Sequence, residues 1–145
     1  MKITFIGAGN MSEAIIAGAL KKEVVTADSV TVSDPLEERR NYMQHAYAVR
    51  AEEDNARAVA NADVVVLAVK PQVFPCVWDS LQSTLSPTSL VVSIMAGITS
   101  ETIAAGSELR VVRVMPNTPS LVGRGASGIA QGALATESDM EVTER

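Results

Sequence analysis

The chain reads as a doubly wound α/β domain with a mainly parallel sheet, and three observations carry that reading. Short runs rich in Val and Ile alternate with stretches of helical period along all 145 residues, joined by short links. One run, Asp63-Val64-Val65-Val66-Leu67-Ala68-Val69, stays apolar without a break after its acid, which marks a strand buried on both faces. Hydrophobic residues make up 47% of the chain but aromatics only 3%. Its core must therefore be built from Val, Ala, Leu, Ile and Met, the usual filling of a parallel sheet between helices. One domain is expected over residues 1–145, with no internal repeat and no linker.

The elements come in order along the chain. Lys2 to Ile6 is a short β-branched and aromatic run, hence a strand. It stops at Gly7-Ala8-Gly9, after which Met11, Ala14, Ile15, Gly18 and Ala19 recur at helical spacing as far as Lys21-Lys22. Ser29 to Ser33 is the second strand. Asp34-Pro35 ends it, with Pro35 in the first turn of a helix that runs to about His45. A strand near Ala48-Val49-Arg50 precedes a helix from Glu53 to Asn61, with Asp54 or Asn55 near its start. After the buried run, Val73, Val77, Leu81 and Leu85 stripe a helix from Gln72 to Leu85, Pro75 fitting its first turn. Ser89 to Ile94 is the next strand, closed by Met95-Ala96-Gly97. Thr99 or Ser100 caps a short helix that Gly106 ends. Leu109 to Met115 is a strand stopped by Pro116-Asn117-Thr118-Pro119, and Gly123, Gly125 and Gly128 loosen the segment after it. Ala126 to Ala130 is extended. Ser138-Asp139-Met140-Glu141 then has the pattern of a capping box. A helix cut at Arg145 gains little without packing, so the chain is expected to be the front part of something longer.

Composition narrows the partners. A net charge of −5 and the lack of a Lys/Arg run argue against nucleic acid and anionic membrane. No apolar run approaches the ~20 residues of a membrane span. Met1-Lys2 leads straight into a strand, so no signal peptide is expected. The single cysteine, Cys76, cannot close an internal disulfide, which fits a reducing cytoplasm. Cys76 falls in the apolar stripe region and reads as core. With one Cys and one His, His45, neither a zinc site of the usual ligands nor a Ser-His-Asp arrangement is expected.

In an open parallel sheet, ligands bind beyond the carboxyl ends of the strands, at the switch point in strand order. Strand, glycine turn and helix in succession over Ile6-Gly7-Ala8-Gly9-Asn10-Met11 is the context that a dinucleotide-binding loop needs. Gly7 allows the turn, Gly9 lets backbone approach a pyrophosphate, and the helix aims its positive end at the phosphates. The third small position, usually Gly or Ala, is Ser12, a mild departure. Other unusual segments at strand ends are Ser33-Asp34, Lys70-Pro71-Gln72, Met95-Ala96-Gly97 and Pro116-Asn117-Thr118-Pro119. Lys70 reads either as a partner for an anion or as a snorkelling surface lysine. Asn117 either offers its amide to a ligand or satisfies its own turn. Asn55 is either a helix cap or a contact on an adenosine side.

Taken together, these motifs resemble the pyrroline-5-carboxylate reductase family. Carrying the resemblance are Ile6 to Met11, Ala68-Val69-Lys70-Pro71-Gln72, Ser93 to Ile98, and Arg113 to Ser120 with Val122-Gly123-Arg124-Gly125. It implies a Rossmann-like cofactor domain in which Ile6 to Met11 hold the pyrophosphate and Ser33 meets the adenosine ribose or its phosphate. It places Asn55 on the adenine side, Ala68, Val69, Lys70 and Pro71 with Met95, Ala96 and Gly97 along the path to the nicotinamide, and Asn117 toward the reaction space. The implied reaction is hydride transfer from NAD(P)H to an imino acid, 1-pyrroline-5-carboxylate, giving proline. It also implies a helical C-terminal domain beyond residue 145 through which the full protein forms a homo-oligomer. Related imine or β-hydroxyacid reductases, and a non-catalytic nucleotide-binding module, are the competing readings.

Cofactor preference divides the local signals. Asp34 lies 25 residues after Gly9, against a usual spacing of about 20 for the acid that binds a ribose 2′-OH and favours NAD(H). If Ser33 takes the ribose instead, Asp34 points away or caps the next helix. Arg39 and Arg40 are then within reach of a 2′-phosphate. The competing reading of those arginines is a solvated face paired with Glu37 and Glu38. NADP(H) is favoured over NAD(H), because the family leans that way and arginine is available.

Overall fold

The computed structural model describes residues 1–117 and 126–145. Thr118, Pro119, Ser120, Val122, Gly123, Arg124 and Gly125 of the last motifs lie outside the described residues. The strands are β1 (Ile3–Ile6), β2 (Val30–Ser33), β3 (Arg50–Glu52), β4 (Val64–Leu67), β5 (Leu90–Ser93), β6 (Arg110–Pro116) and β7 (Ser127–Gln131). The helices are α1 (Asn10–Lys21), α2 (Glu37–Tyr47), α3 (Asn55–Val59), α4 (Phe74–Leu81), α5 (Ser100–Ala104) and α6 (Glu137–Glu144). Single 3-10 turns precede β2 (Ala27–Ser29) and α4 (Pro71–Val73).

These strands form one seven-stranded sheet in the order β3-β2-β1-β4-β5-β6-β7, parallel except for the β6–β7 pair. The doubly wound, mainly parallel, Rossmann-like sheet expected from the sequence is therefore present. Chain direction across the sheet reverses between β1 and β4, so the switch point lies where those two strands end.

Side-chain alternation divides the core into two layers. Phe5, Val64, Val66, Leu90 and Val92 pack with Ile16 of α1 and Met43 of α2. Ile6, Val65, Leu67 and Val91 pack on the other face with Val59 of α3, Trp78 and Leu81 of α4, and Ile103 of α5. All four residues of β4 are buried, as its unbroken apolar run requires. Each such side chain withdrawn from water contributes ~1.5–3 kcal/mol before entropy is set against it. An apolar groove of about 290 Å³ remains between α1 and α6, floored by Val64, Val66, Val92 and Val114. Its lining is mainly apolar, with Ser127, Thr143, Glu144 and Arg145 as the polar exceptions.

Several local expectations are corrected. The buried stripe of α4 is Phe74, Trp78 and Leu81, continued by Leu85 beyond its end, whereas Val73 is 46% exposed. Phe74 and Trp78 stack with ring centroids 5.4 Å apart, and burying those two large side chains outweighs burying two valines. This rotation of the stripe turns Cys76 outward, so it is exposed rather than core. Pro75 does occupy the first turn. Pro35 precedes α2 rather than sitting inside it, because Leu36 is the N-cap. Strand β3 starts at Arg50 because Ala48 ends α2 in the left-handed region, with φ 56° and ψ 22°. Asp54 rather than Asn55 caps α3, its carboxylate accepting from the Arg57 N–H at 2.9 Å. The capping box of α6 joins Thr136 to Asp139 and not Ser138 to Glu141. Thr99 caps α5, one of the two expected alternatives.

Candidate cofactor site

The ends of four adjacent strands are laced to one another by backbone hydrogen bonds. Gly7 N–H donates to Ser33 C=O at 2.8 Å, Ala68 N–H to Ile6 C=O at 2.9 Å, and Ile94 N–H to Leu67 C=O at 3.1 Å. The segments after β2, β1, β4 and β5 therefore meet along one edge, and these are the segments the sequence singled out.

Gly7 is glycine for two reasons. Its φ is +99°, and a Cβ built there would stand 2.8 Å from the Ala68 carbonyl oxygen. The glycine turn thus packs directly on the end of β4. Gly9 is different. It caps α1 with φ −72° and ψ 179°, an extended backbone open to any residue, and a Cβ there would meet nothing within 4 Å. Neither conformation nor crowding among the described residues calls for glycine at this position.

Ser12, the apparent departure from the motif, is fully buried, and its hydroxyl donates to the Gly7 carbonyl at 2.6 Å. It fastens the first turn of α1 onto the loop, which Gly or Ala cannot do. Sequence reasoning missed this, although a serine in the first turn of α1, where such hydroxyls bond nearby backbone, was a usable signal.

Donors of the loop are partly committed. Ala8 N–H donates to Asp34 Oδ2 at 2.9 Å, while Asp34 Oδ1 accepts the Leu36 N–H at 2.9 Å. Asp34 therefore ties the glycine turn to the start of α2, a double duty not foreseen. No side chain caps α1, so its first N–H groups, beginning with Asn10 and Met11, are left facing outward. Ile6, by contrast, is buried to 1% exposure and contributes backbone only.

Ser33 and Asn55, both expected on the adenosine side, are brought together: the Ser33 hydroxyl donates to Asn55 Oδ1 at 2.6 Å. Beside them, Arg40 Nη1 donates to the carbonyls of Asp34 and Pro35 at 2.8 and 2.9 Å, and Nη2 pairs with Glu53 at 3.3 Å. Arg39 Nε donates to Ala8 C=O at 2.8 Å, and its Nη2 pairs with Glu13 at 3.0 Å. Neither arginine pairs with Glu37 or Glu38, which corrects that reading. Both are drawn to backbone carbonyls around the turn instead.

Glu13 is the hub of a small network. Its Oε1 accepts from the hydroxyls of Tyr42 and Tyr47, each at 2.8 Å. Desolvation raises its pKa, but the bonds from Arg39, Tyr42 and Tyr47 outweigh that and hold the carboxyl below its usual value. In turn, the bond to Glu13, with desolvation, pushes the Tyr47 phenol up to about 12.

On the opposite side of the switch point, Lys70 is exposed at the end of β4, just before the Pro71–Val73 turn, and its ammonium has no partner among the described residues. Ala68, Val69 and Pro71 are half-buried around it. Met95 is buried to 2% exposure, while Ala96 and Gly97 are exposed, Gly97 with φ +74°. Asn117 Oδ1 accepts the Ala126 N–H at 3.0 Å. His45 is exposed on α2, away from this edge.

A dinucleotide fits this arrangement on two observations: the uncapped N-terminus of α1 and the open direction at Gly9. Among the described residues, no helix is long and apolar enough to cross a membrane.

The chain is 44% identical over 142 residues to a pyrroline-5-carboxylate reductase of Pseudomonas aeruginosa, covering 97% of this chain and 52% of that protein. Among solved structures, a pyrroline-5-carboxylate reductase of Coxiella burnetii matches with TM-score 0.93 at 35% identity, covering 99% of this chain and 54% of the other. A pyrroline carboxylate reductase of Plasmodium falciparum, solved with NADP bound, matches with TM-score 0.86 at 26% identity, over 99% of this chain and 52% of that one. The chain spans about half the length of the curated relatives it matches. Residues 2–97 match the family described as NADP oxidoreductase, coenzyme F420-dependent. The chain belongs to that family, and its likeness within it is to the pyrroline-5-carboxylate reductases.

Proposed function

We propose that this chain is the cofactor-binding part of an NAD(P)H-dependent reductase that converts 1-pyrroline-5-carboxylate to proline. The observation that carries the reading is Gly9, a glycine that nothing among the described residues requires, beside the uncapped N-terminus of α1. Its relatives supply the substrate class.

Asn10 and Met11 present backbone N–H groups to the pyrophosphate, with the helix dipole adding to them. Asn55 faces the adenosine ribose, its amide held by the Ser33 hydroxyl, which is itself buried to 1% exposure, and Lys70, Ala96 and Gly97 flank the nicotinamide. When bound, the reduced nicotinamide supplies the hydride that reduces the C=N carbon. The imine nitrogen enters protonated, so hydride addition completes the reaction and no general acid is demanded of this chain. Orientation and exclusion of water are its tasks. The rest of the substrate site, and the contacts of a homo-oligomer, belong to the second half of a protein of the relatives' length, working in the cytoplasm.

NADP(H) is the favoured cofactor. Arg40 is held at the β2–α2 turn by two carbonyls, and its acidic partner, Glu53, has a side chain 75% exposed. So weak a pair gives way readily to a 2′-phosphate. Asp34 keeps both oxygens on backbone N–H groups rather than directing them outward. The test is binding of NADPH and NADH to the wild type and to Arg40→Ala. Tenfold or more loss for NADPH alone is expected; a wild type that prefers NADH overturns the preference. Turnover of pyrroline-5-carboxylate should be very slow with this chain and rapid with the complete gene product. Equal rates would place the whole substrate site within these residues.

A further inference from the structure

We propose that Arg113, on β6, is a positioning residue for the nicotinamide side of the site, acting through the turn Met95-Ala96-Gly97. The inference rests on the dinucleotide reading above. Arg113 pairs in register with Ser93, the last residue of β5, so the two side chains share one face of the sheet at its ligand-binding edge. From there Arg113 Nη2 donates to the Met95 carbonyl at 3.1 Å. Ser93, fully buried, accepts the Met95 N–H on its hydroxyl at 3.4 Å.

Both backbone polar groups of Met95 are therefore held by side chains, and its own side chain is sunk in the core at 2% exposure. The next two residues face outward: Ala96 and Gly97 are exposed, and Gly97 has φ +74°. A turn fixed at its root and bare at its tip offers backbone to a flat ring without having to order first.

The guanidinium is costly where it is. Its Nε is buried and has no hydrogen-bond partner among the described residues. Nη2 also donates to the Met115 sulfur at 3.4 Å, and the Glu101 carboxylate on α5 interacts with the guanidinium through charge alone. A charged side chain with an unsatisfied N–H would be replaced by an apolar one if packing were its only purpose. Its hydrogen bond to a backbone group goes to Met95, at the root of the turn.

The test uses the whole chain, with Arg113→Met, which keeps length and apolar bulk but removes the donors, and Arg113→Lys, which keeps one charged donor. Two probes are titrated: NADPH, read by the enhancement of nicotinamide fluorescence, and adenosine 2′,5′-bisphosphate, which carries only the adenosine end. Expected for Arg113→Met is a roughly tenfold loss of NADPH affinity with a weakened fluorescence enhancement, and unchanged affinity for the bisphosphate. Arg113→Lys should recover part of the enhancement. If Arg113→Met binds NADPH like the wild type with the same emission, the inference is wrong while the dinucleotide reading stands. Equal losses for both probes mean that the domain has loosened generally, which also overturns it. A wild type that binds neither probe overturns the dinucleotide reading and this inference together.

Discussion

Gly7 and Gly9 sit two residues apart in one loop, and opposite demands fall on them. At Gly7 the chain itself excludes a side chain, through a φ of +99° and an Ala68 oxygen 2.8 Å from the Cβ position. Gly7→Ala should therefore cost at least 2 kcal/mol or so in urea unfolding, from strain and a backbone clash together; a cost under 0.5 kcal/mol would contradict the packing described. The pattern of two glycines was legible in the sequence, but which of them answers to the fold was not, because that depends on a carbonyl 61 residues away. Glu13 was not legible either, since its partners arrive from α2. Its folded pKa is depressed, so the stability it contributes is present above the ordinary glutamate range and lost as pH falls through the folded value. Tyr47 has the opposite sign: raised to about 12, it contributes below the unfolded value near 10 and loses that contribution as pH rises toward 12. Tyr47→Phe should flatten the stability profile between roughly pH 10 and 12, and an unchanged slope in urea titrations at those pH values would exclude the network. At Cys76 the expected result is rapid reaction with a thiol reagent in native buffer, because the side chain is exposed; protection until unfolding would restore the core reading.

At the scale of elements, the sequence pattern found the strands and helices of the described residues but not always their phase. The α4 stripe was read through Val73 and Val77, yet the large rings of Phe74 and Trp78 decide which side faces the sheet. Likewise β3 lies later than expected, since Ala48 takes a left-handed conformation that sequence assigns to glycine. Ala48→Gly should accordingly stabilise the chain, by ~0.5–1 kcal/mol, with destabilisation in thermal or urea unfolding as the contrary result. Helix α6 is fixed by a partner that periodicity cannot supply. Arg110 Nη1 pairs with Asp139 at 2.5 Å, Asp139 is buried to 4% exposure, and the same carboxylate closes the capping box with Thr136. Asp139→Ala removes a cap and leaves a guanidinium without its anion, so a loss of ~2–4 kcal/mol is expected. A loss within experimental error would mean that α6 is held by Met140 and Val142 alone.

Across the whole molecule, alternation of strand and helix was enough to foresee a doubly wound sheet, and the order β3-β2-β1-β4-β5-β6-β7 places its reversal at β1 and β4. Segments that looked unusual in isolation are gathered by that order onto one edge: the glycine turn, Ser33-Asp34, Ala68 to Pro71 and Met95 to Gly97. Pairings between them were not legible, because Ser33 with Asn55, Ala8 with Asp34, and Met95 with Arg113 join different βα units. The central claim is that this edge, at Gly9, receives a dinucleotide, and titration calorimetry of NADPH into wild type and Gly9→Val tests it most directly. With φ −72° and open space at its Cβ, Gly9 accepts valine without harm to the fold, so equal melting temperatures are predicted. One site per chain is predicted for the wild type, with affinity lost in the variant; equal affinity of the two proteins would contradict the account.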